Sequence, residues 1–275
     1  MSLSQLLRRF PQWNAAYRGY REFKQMQRLP IKTPGGFWFS GNKLMESGTF
    51  EPEETRIVGE LLSDIDVLIN VGANIGYYCC IALHRKKKVI AFEPMPRNLE
   101  FLMKNVFLNG TEESIEVFPL ALSSQSGIAK FFGTGTGASL IQGWAGQTDD
   151  ELTLVPMSTL DTVLGNRMHG KRCLVIVDIE GAELPMLQSA SNLLSNTPRP
   201  IWLVEISVNE HQPTGILINP NLVETFKIFF DAGYQAVTAN RESRNIHLQE
   251  VQQVAATGID TLKTHNFVFR FAEQE

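Results

Sequence analysis

Nothing in this chain of 275 residues approaches the ~18 to 20 consecutive apolar residues that cross a bilayer. No apolar run of signal-peptide length precedes the first charges either. These absences predict a soluble, cytoplasmic protein. Cysteine is scarce as well. Cys79, Cys80 and Cys173 are too few for a disulfide framework, and the first two are adjacent, so all three read as reduced core thiols. No internal repeat is visible. Basic residues fall short of acidic ones, giving a net charge of −4. Six Arg and Lys stand before Pro30 with only Glu22 against them, which leaves about −9 on the remainder. An acidic body argues against a nucleic-acid groove.

What is present is a 43% hydrophobic chain, long enough to bury one large core. Its most informative stretch is Asp66-Val-Leu-Ile-Asn-Val-Gly-Ala-Asn-Ile-Gly76, an apolar strand running into a turn where Gly72 and Gly76 carry no side chain. The expectation is that something flat or charged lies against that turn. About twenty residues on, a second apolar strand, Lys88-Val-Ile-Ala-Phe-Glu93, ends in a carboxylate, the spacing at which a βαβ unit offers an acid to ribose hydroxyls. The turn lacks the close-set first two glycines of a dinucleotide fingerprint, so a cofactor with a ribose and no pyrophosphate fits better.

Three motifs now stand in order: Val71-Gly72-Ala73-Asn74-Ile75-Gly76; Phe92-Glu93-Pro94-Met95-Pro96 with Asn105 and Asn109; and Val177-Asp178-Ile179-Glu180-Gly181-Ala182-Glu183-Leu184. Together they resemble the FkbM family of S-adenosylmethionine-dependent methyltransferases, from about Gly48 to the C-terminal strand. The resemblance implies S-adenosyl-L-methionine as cofactor. It also implies a Rossmann-like α/β sheet of seven mostly parallel strands, helices on both faces and the last strand antiparallel. Family members usually carry Asp where this chain has Asn70, so the carboxylate that would face the cofactor's ammonium group, directly or through water, is missing.

Along the chain, residues 1–50 read as an extension. Leu3, Leu6, Leu7, Phe10, Trp13, Tyr17 and Tyr20 keep helical spacing among basic residues up to Arg28, and a hairpin is expected around Gly35-Gly36. The basic stretch of residues 1–29 suits packing on the domain or on a second subunit, or contact with an anionic membrane surface or an acidic acceptor. Residues 51–275 read as the cofactor-binding domain, because single helices alternate with strands and so predict a parallel sheet. Helices are expected over 53–62, 77–84, 96–108, 160–164, 183–194 and 222–232. Strands are expected to end at Val71, Glu93, Pro119, Asp178 and Ile206, with a closing antiparallel pair over 234–238 and 266–271. Residues 127–157 interrupt the alternation as an insertion. Its glycine-rich part, around Trp144, reads as a mobile cover over the acceptor.

Open parallel sheets bind ligands at the carboxyl ends of their strands, so Asn74, Glu93, Asp178, Glu180, Glu205 and His211 should converge on one cleft. Glu93 is the ribose ligand in this reading, although an acid so near Pro96 also suits the start of a helix. Asn70, Gly72, Ala73, Asn74 and Gly76, with Tyr77 at a helix N-terminus, would hold the methionine part. Pro94 belongs to the same motif, Asp178 could anchor cofactor through its backbone, and Ala121 within Leu120-Ala121-Leu122 could line the adenine. Candidate bases are His211, Asp178, Glu180 and Glu205, the carboxylates needing pKa values raised by burial. Asp178, Glu180 and Glu205 also offer a hard cation a place, although no metal is assigned. The expected activity is methylation of a hydroxyl on a small-molecule, glycan or natural-product acceptor. The alternatives are a non-catalytic module with this fold or a nicotinamide-dependent oxidoreductase. A homo-oligomer fits equally well.

Overall fold

Strands that are apolar along their whole length dictate a sheet covered on both faces. The computed structural model describes residue 17, residue 20 and residues 24–133, 137–147 and 152–271. Most of the amphipathic basic extension therefore lies outside the described residues. Two short strands, β1 (Ile31–Lys32) and β2 (Trp38–Phe39), make the hairpin expected around Gly35-Gly36. A single-turn helix α1 (Lys43–Glu46) and helix α2 (Pro52–Leu61) lead into β3 (Val67–Val71), every residue of which is buried. Then come α3 (Tyr77–His84), β4 (Lys88–Phe92), α4 (Pro96–Leu108) and β5 (Ile115–Phe118). Pro96 opens α4 at its first turn, where a missing N–H costs nothing.

The insertion is more regular than its glycines suggest. Strands β6 (Ala121–Leu122), β7 (Gly127–Phe132) and β8 (Leu152–Ser158) form a separate three-stranded sheet in the order β6-β8-β7. Of the described residues between β7 and β8, those around Trp144 keep the irregular character expected of the block, and Trp144 itself is buried. The chain returns to the main sheet through α5 (Leu160–Leu164) and β9 (Cys173–Val177), the latter buried throughout.

The single helix expected over 183–194 is two, α6 (Glu183–Leu187) and α7 (Ser191–Leu194). The Ser189 hydroxyl lies 2.8 Å from the carbonyls of Met186 and Ser123, drawing the backbone out of the helical ladder. The Asp161 carboxylate, accepting from the Ser191 hydroxyl at 2.7 Å and the Asn192 N–H at 3.2 Å, starts the next turn. Strand β10 (Ile201–Glu205), helix α8 (Leu222–Asp231) and strand β11 (Tyr234–Thr238) follow. The closing pair is not a simple hairpin, because β12 (Asn245–Ile246) and a ten-residue helix, α9 (Leu248–Thr257), precede β13 (Asn266–Phe271). Only Val251 and Val254 of α9 are buried, a stripe too thin to stand out among its glutamines.

The main sheet has eight strands in the order β12-β11-β13-β10-β9-β3-β4-β5, one more than expected. The extra one is the two-residue edge strand β12, which pairs only with β11. Strands β5, β4, β3, β9 and β10 are mutually parallel, and β13 runs antiparallel between β10 and β11. One face packs Trp202, Phe226, Phe229, Phe267 and Phe269, and the other packs Leu68, Ala82, Leu102 and Val106. Cys79 and Cys80 are buried and free; burial pushes the Cys79 thiol up to about 12, consistent with a packing role. Among the described residues no helix is long and apolar enough to cross a membrane.

Candidate active site

Phe92, Val71, Val177 and Val204 share one register row across β4, β3, β9 and β10. The residues one step further, Glu93, Gly72, Asp178 and Glu205, therefore form a row along the carboxyl edge of the sheet, at a strand spacing of ~4.8 Å. Strand order reverses between β3 and β9, so this row spans the switch point where such sheets bind ligands. Gly72 sits between two acids. A Cβ on it would lie 1.8 Å from the Asp178 carbonyl oxygen, and its φ is +85°, so only glycine fits. The chain's own packing already demands both glycines, whatever lies against the turn. The space beside Gly72 is filled by the neighbouring strand, and a Cβ on Gly76 would press Leu102 at 3.1 Å.

A narrow cleft runs along this row, enclosing about 560 Å³ with its open mouth included. At one end it is walled by Met95, Leu120, Ala121, Leu122, Phe131 and Leu140, which form an apolar slot. Glu93 stands beside that slot and is 4% exposed. Its Oε2 accepts from the Asn74 N–H at 2.8 Å, and its Oε1 accepts from the Met95 N–H at 2.9 Å and the Asn98 amide at 3.2 Å. Burial raises its pKa, and those three donors work against the rise. A carboxylate has about four lone-pair sites, which leaves one on Oε2 for a ligand hydroxyl. Glu93 thus also holds the start of α4, since Met95 is that helix's N-cap.

The other end of the row is built differently. Asp178 and Glu205 stand on neighbouring strands, are only partly accessible, and accept no hydrogen bond from a described residue. Burial first, and then surrounding carboxylates, push both pKa values well up: Glu180 and Glu51 act on Asp178, and Asp178 and Glu180 act on Glu205. Glu183 is sealed in below, accepting from the Gly181 N–H at 3.0 Å, and burial pushes it up to about 7. Glu180, at a left-handed φ of 55°, accepts from the Trp144 indole N–H at 2.6 Å. Its carbonyl accepts from the Ser139 hydroxyl at 2.5 Å. His211 Nδ1 is 3.7 Å from Glu180, and the His211 carbonyl accepts from the Ala145 N–H at 2.7 Å. The residues around Trp144 are thus pinned to both acid-bearing loops.

Of the residues expected to hold cofactor, Gly72, Asn74, Glu93, Pro94, Ala121 and Asp178 line the cleft, whereas Asn70, Ala73, Gly76 and Tyr77 do not. Asn70 is buried in β3, with its amide 3.4 Å from the Cys79 sulfur under α3. Ala73 is core. Gly76 is the left-handed N-cap of α3, and Tyr77 packs edge-on to Phe39 and Phe50, pinning the N-terminal hairpin to the domain. Of the expected bases, Asp178 and Glu180 line the cleft, Glu205 adjoins Asp178, and His211 stands off behind Glu180. Sequence reasoning missed Phe131, Ala138 and Leu140, which reach the cleft from the insertion, and Asn98, whose place one turn into α4 was a usable signal. It also missed Glu51, whose Oε2 accepts from the Tyr78 hydroxyl at 2.7 Å. Among the described residues no three or more His, Cys, Asp or Glu are arranged to hold a metal ion.

The sheet order, with an antiparallel strand slid in beside the fifth parallel one and an acid-flanked cleft at the switch point, is the arrangement expected of a methyltransferase. The sequence profile described as the methyltransferase FkbM domain matches residues 70–236. The chain belongs to the FkbM methyltransferase family. It is 30% identical over 174 residues to the hexuronic acid methyltransferase AglP of Haloferax volcanii, covering 62% of this chain and 70% of that one. A crystal structure of methyltransferase FkbM from Methylobacillus flagellatus KT superposes with a TM-score of 0.45 at 17% identity, over 94% of this chain and 60% of that one. The precorrin-6y C5,15-methyltransferase of Geobacter metallireducens GS-15 gives 0.42 at 11% identity, over 84% and 90%.

Proposed function

We propose that the protein binds S-adenosyl-L-methionine along the edge row and transfers its methyl group to a hydroxyl oxygen of a carbohydrate or similar polyol. The observation that carries this reading is the cleft itself: an apolar slot for a purine beside a buried acid for a ribose, with no Lys or Arg among the described residues of its lining to meet a phosphate. The family membership supports the reaction, and the name of the Haloferax volcanii relative supports a sugar acceptor.

When bound, the cofactor supplies a methyl group on a positively charged sulfur, ready for in-line displacement. The chain's own residues must hold the partners and move one proton. Met95, Leu122, Phe131 and Leu140 would enclose the base, and Glu93, fixed by its three donors, would accept from the ribose. Asp178 and Glu205 face the acceptor side with raised pKa values, which makes whichever of them is ionised a stronger proton acceptor than an ordinary carboxylate. Glu180, held by Trp144, can orient His211 or the acceptor. Incubating the protein with S-adenosyl-L-methionine and a mixed pool of sugars and hydroxylated metabolites, followed by mass spectrometry, tests the proposal. It expects S-adenosylhomocysteine together with a species heavier by one methyl in place of a hydrogen. Turnover to a methylated amine or carbon, or reduction of NAD⁺ instead, would refute it.

A further inference from the structure

Resting on that proposed reaction, the side chains around Glu93 define how the cofactor's sugar is held. A ribose presents two neighbouring hydroxyls, and Glu93 has room for one. Its Oε1 already accepts twice, from the Met95 N–H at 2.9 Å and the Asn98 amide at 3.2 Å, and its Oε2 accepts from the Asn74 N–H at 2.8 Å. With about two lone pairs on each oxygen, a single site is left, on Oε2. The second hydroxyl needs another acceptor close by. Asn98 has one. It is the third residue of α4, is 5% exposed, and lines the cleft beside Glu93. Glu93 Oε1 is an acceptor toward Met95, so the nitrogen of Asn98 faces it and the amide oxygen is left over. That Oδ1 accepts from no described residue, yet keeps accessible surface. Two asparagines further along show what a packing role looks like. Asn105 Oδ1 accepts from the Ser40 N–H at 2.9 Å, while its Nδ2 donates to the carbonyls of Ser40 at 3.1 Å and Ile75 at 2.9 Å. Asn109, just beyond the helix, closes on Trp38 in both directions at 2.8 Å. Asn98 closes at one end only.

A nearly buried amide oxygen without a donor is costly unless something entering the cleft supplies one. We propose that Asn98 is a second ribose ligand: Glu93 Oε2 accepts one hydroxyl of the vicinal pair and Asn98 Oδ1 accepts the other. Asn98 then has two tasks, donating to Glu93 through its nitrogen and accepting from the sugar through its oxygen. The two acceptors are tied to each other by the 3.2 Å bond before the sugar arrives, so the diol meets a pre-organised pair. A nucleoside lacking either hydroxyl leaves one acceptor without its donor, and the site therefore selects ribose over deoxyribose at both positions.

The test is a binding cycle on the full chain. S-adenosylhomocysteine is titrated first by calorimetry, and failure to bind at that stage refutes the cofactor reading itself rather than the role of Asn98. Its 2′-deoxy and 3′-deoxy forms are then titrated into the wild-type chain and into Asn98→Ala. The wild-type chain should bind each deoxy form about tenfold or more weakly than the parent. In Asn98→Ala the parent should weaken about tenfold, whereas the deoxy form lacking the hydroxyl that Asn98 holds should weaken by less than about threefold. Equal losses for all three ligands would make Asn98 a support for Glu93 alone and overturn the proposal, as would unchanged affinity for the parent. A crystal structure of the wild-type chain with S-adenosylhomocysteine needs no variant. There Asn98 Oδ1 should stand within about 3.2 Å of one ribose hydroxyl, with Glu93 Oε2 in reach of the other. Both hydroxyls on Glu93, one of them on Asn74 instead, or Oδ1 turned to the adenine amine contradicts it.

Discussion

Glu93 and Asp178 stand two strands apart in one row, yet they live in opposite conditions. Glu93 is 4% exposed and held by three N–H donors from the protein. Asp178 and its neighbour Glu205 have none among the described residues and face further acids instead. The first carboxylate is pre-organised, and its geometry is complete before anything binds. The second pair is left poised, its charge state set by what enters. In the proposed reaction that division would let one edge serve two tasks, gripping a ligand that must stay put and handling a proton that must move.

The division can be broken most severely at its centre. Gly72→Ala would drive a methyl group into the Asp178 carbonyl at 1.8 Å from a backbone at φ +85°. Denaturant unfolding should show a loss of about 3 kcal/mol or more, since backbone must shift on both sides. The acid half can then be examined by pH. Glu183 titrates at about 7 in the fold against an ordinary 4.5, so the folded state holds its proton more tightly than the unfolded chain. Its contribution is fully present below pH ~4.5 and is lost as pH rises through ~7, by up to about 3 kcal/mol. Asp178 and Glu205 shift in the same direction and add to this slope. Thermal melts between pH 5 and 8 should show stability falling, and Glu183→Gln, which can still accept from the Gly181 N–H, should flatten the curve.

At the pre-organised end, Glu93→Gln places an amide where three donors converge. It should weaken S-adenosyl-L-methionine by about 1 to 3 kcal/mol in a binding titration. Unchanged affinity would mean the two ends are not functionally distinct. The smallest effect is expected from Trp144→Phe, which keeps the ring packing over Gly181 but deletes the indole N–H bond to Glu180. Stability should drop by about 1 kcal/mol, with cofactor affinity nearly unaffected. A large loss of cofactor binding there would show that the insertion supports both ends.

The half of the site made by local pattern was legible in the sequence. An apolar strand ending in a carboxylate announces Glu93, and β3, α3, β4 and α4 carry their boundaries in periodicity, glycine and proline. Strand ends also pointed to Asp178 and Glu205. What stayed hidden depends on pairing between distant segments. Gly72 is required by the Asp178 carbonyl just beyond β9, which no local reading reveals. Phe131, Ala138 and Leu140 enter the cleft because β7 and β8 pair into a sheet of their own, although the glycines between them read as loop. Tyr77, which looked placed for a ligand, instead packs against Phe39 and Phe50 of the N-terminal segment.

A calorimetric titration of the wild-type chain with S-adenosylhomocysteine, run beside one with NAD⁺, probes the cleft itself without needing the acceptor. Saturable binding of S-adenosylhomocysteine at one site per chain, with no heat from NAD⁺, is the expected outcome. Binding of NAD⁺ with none of S-adenosylhomocysteine would contradict the assignment of the cleft.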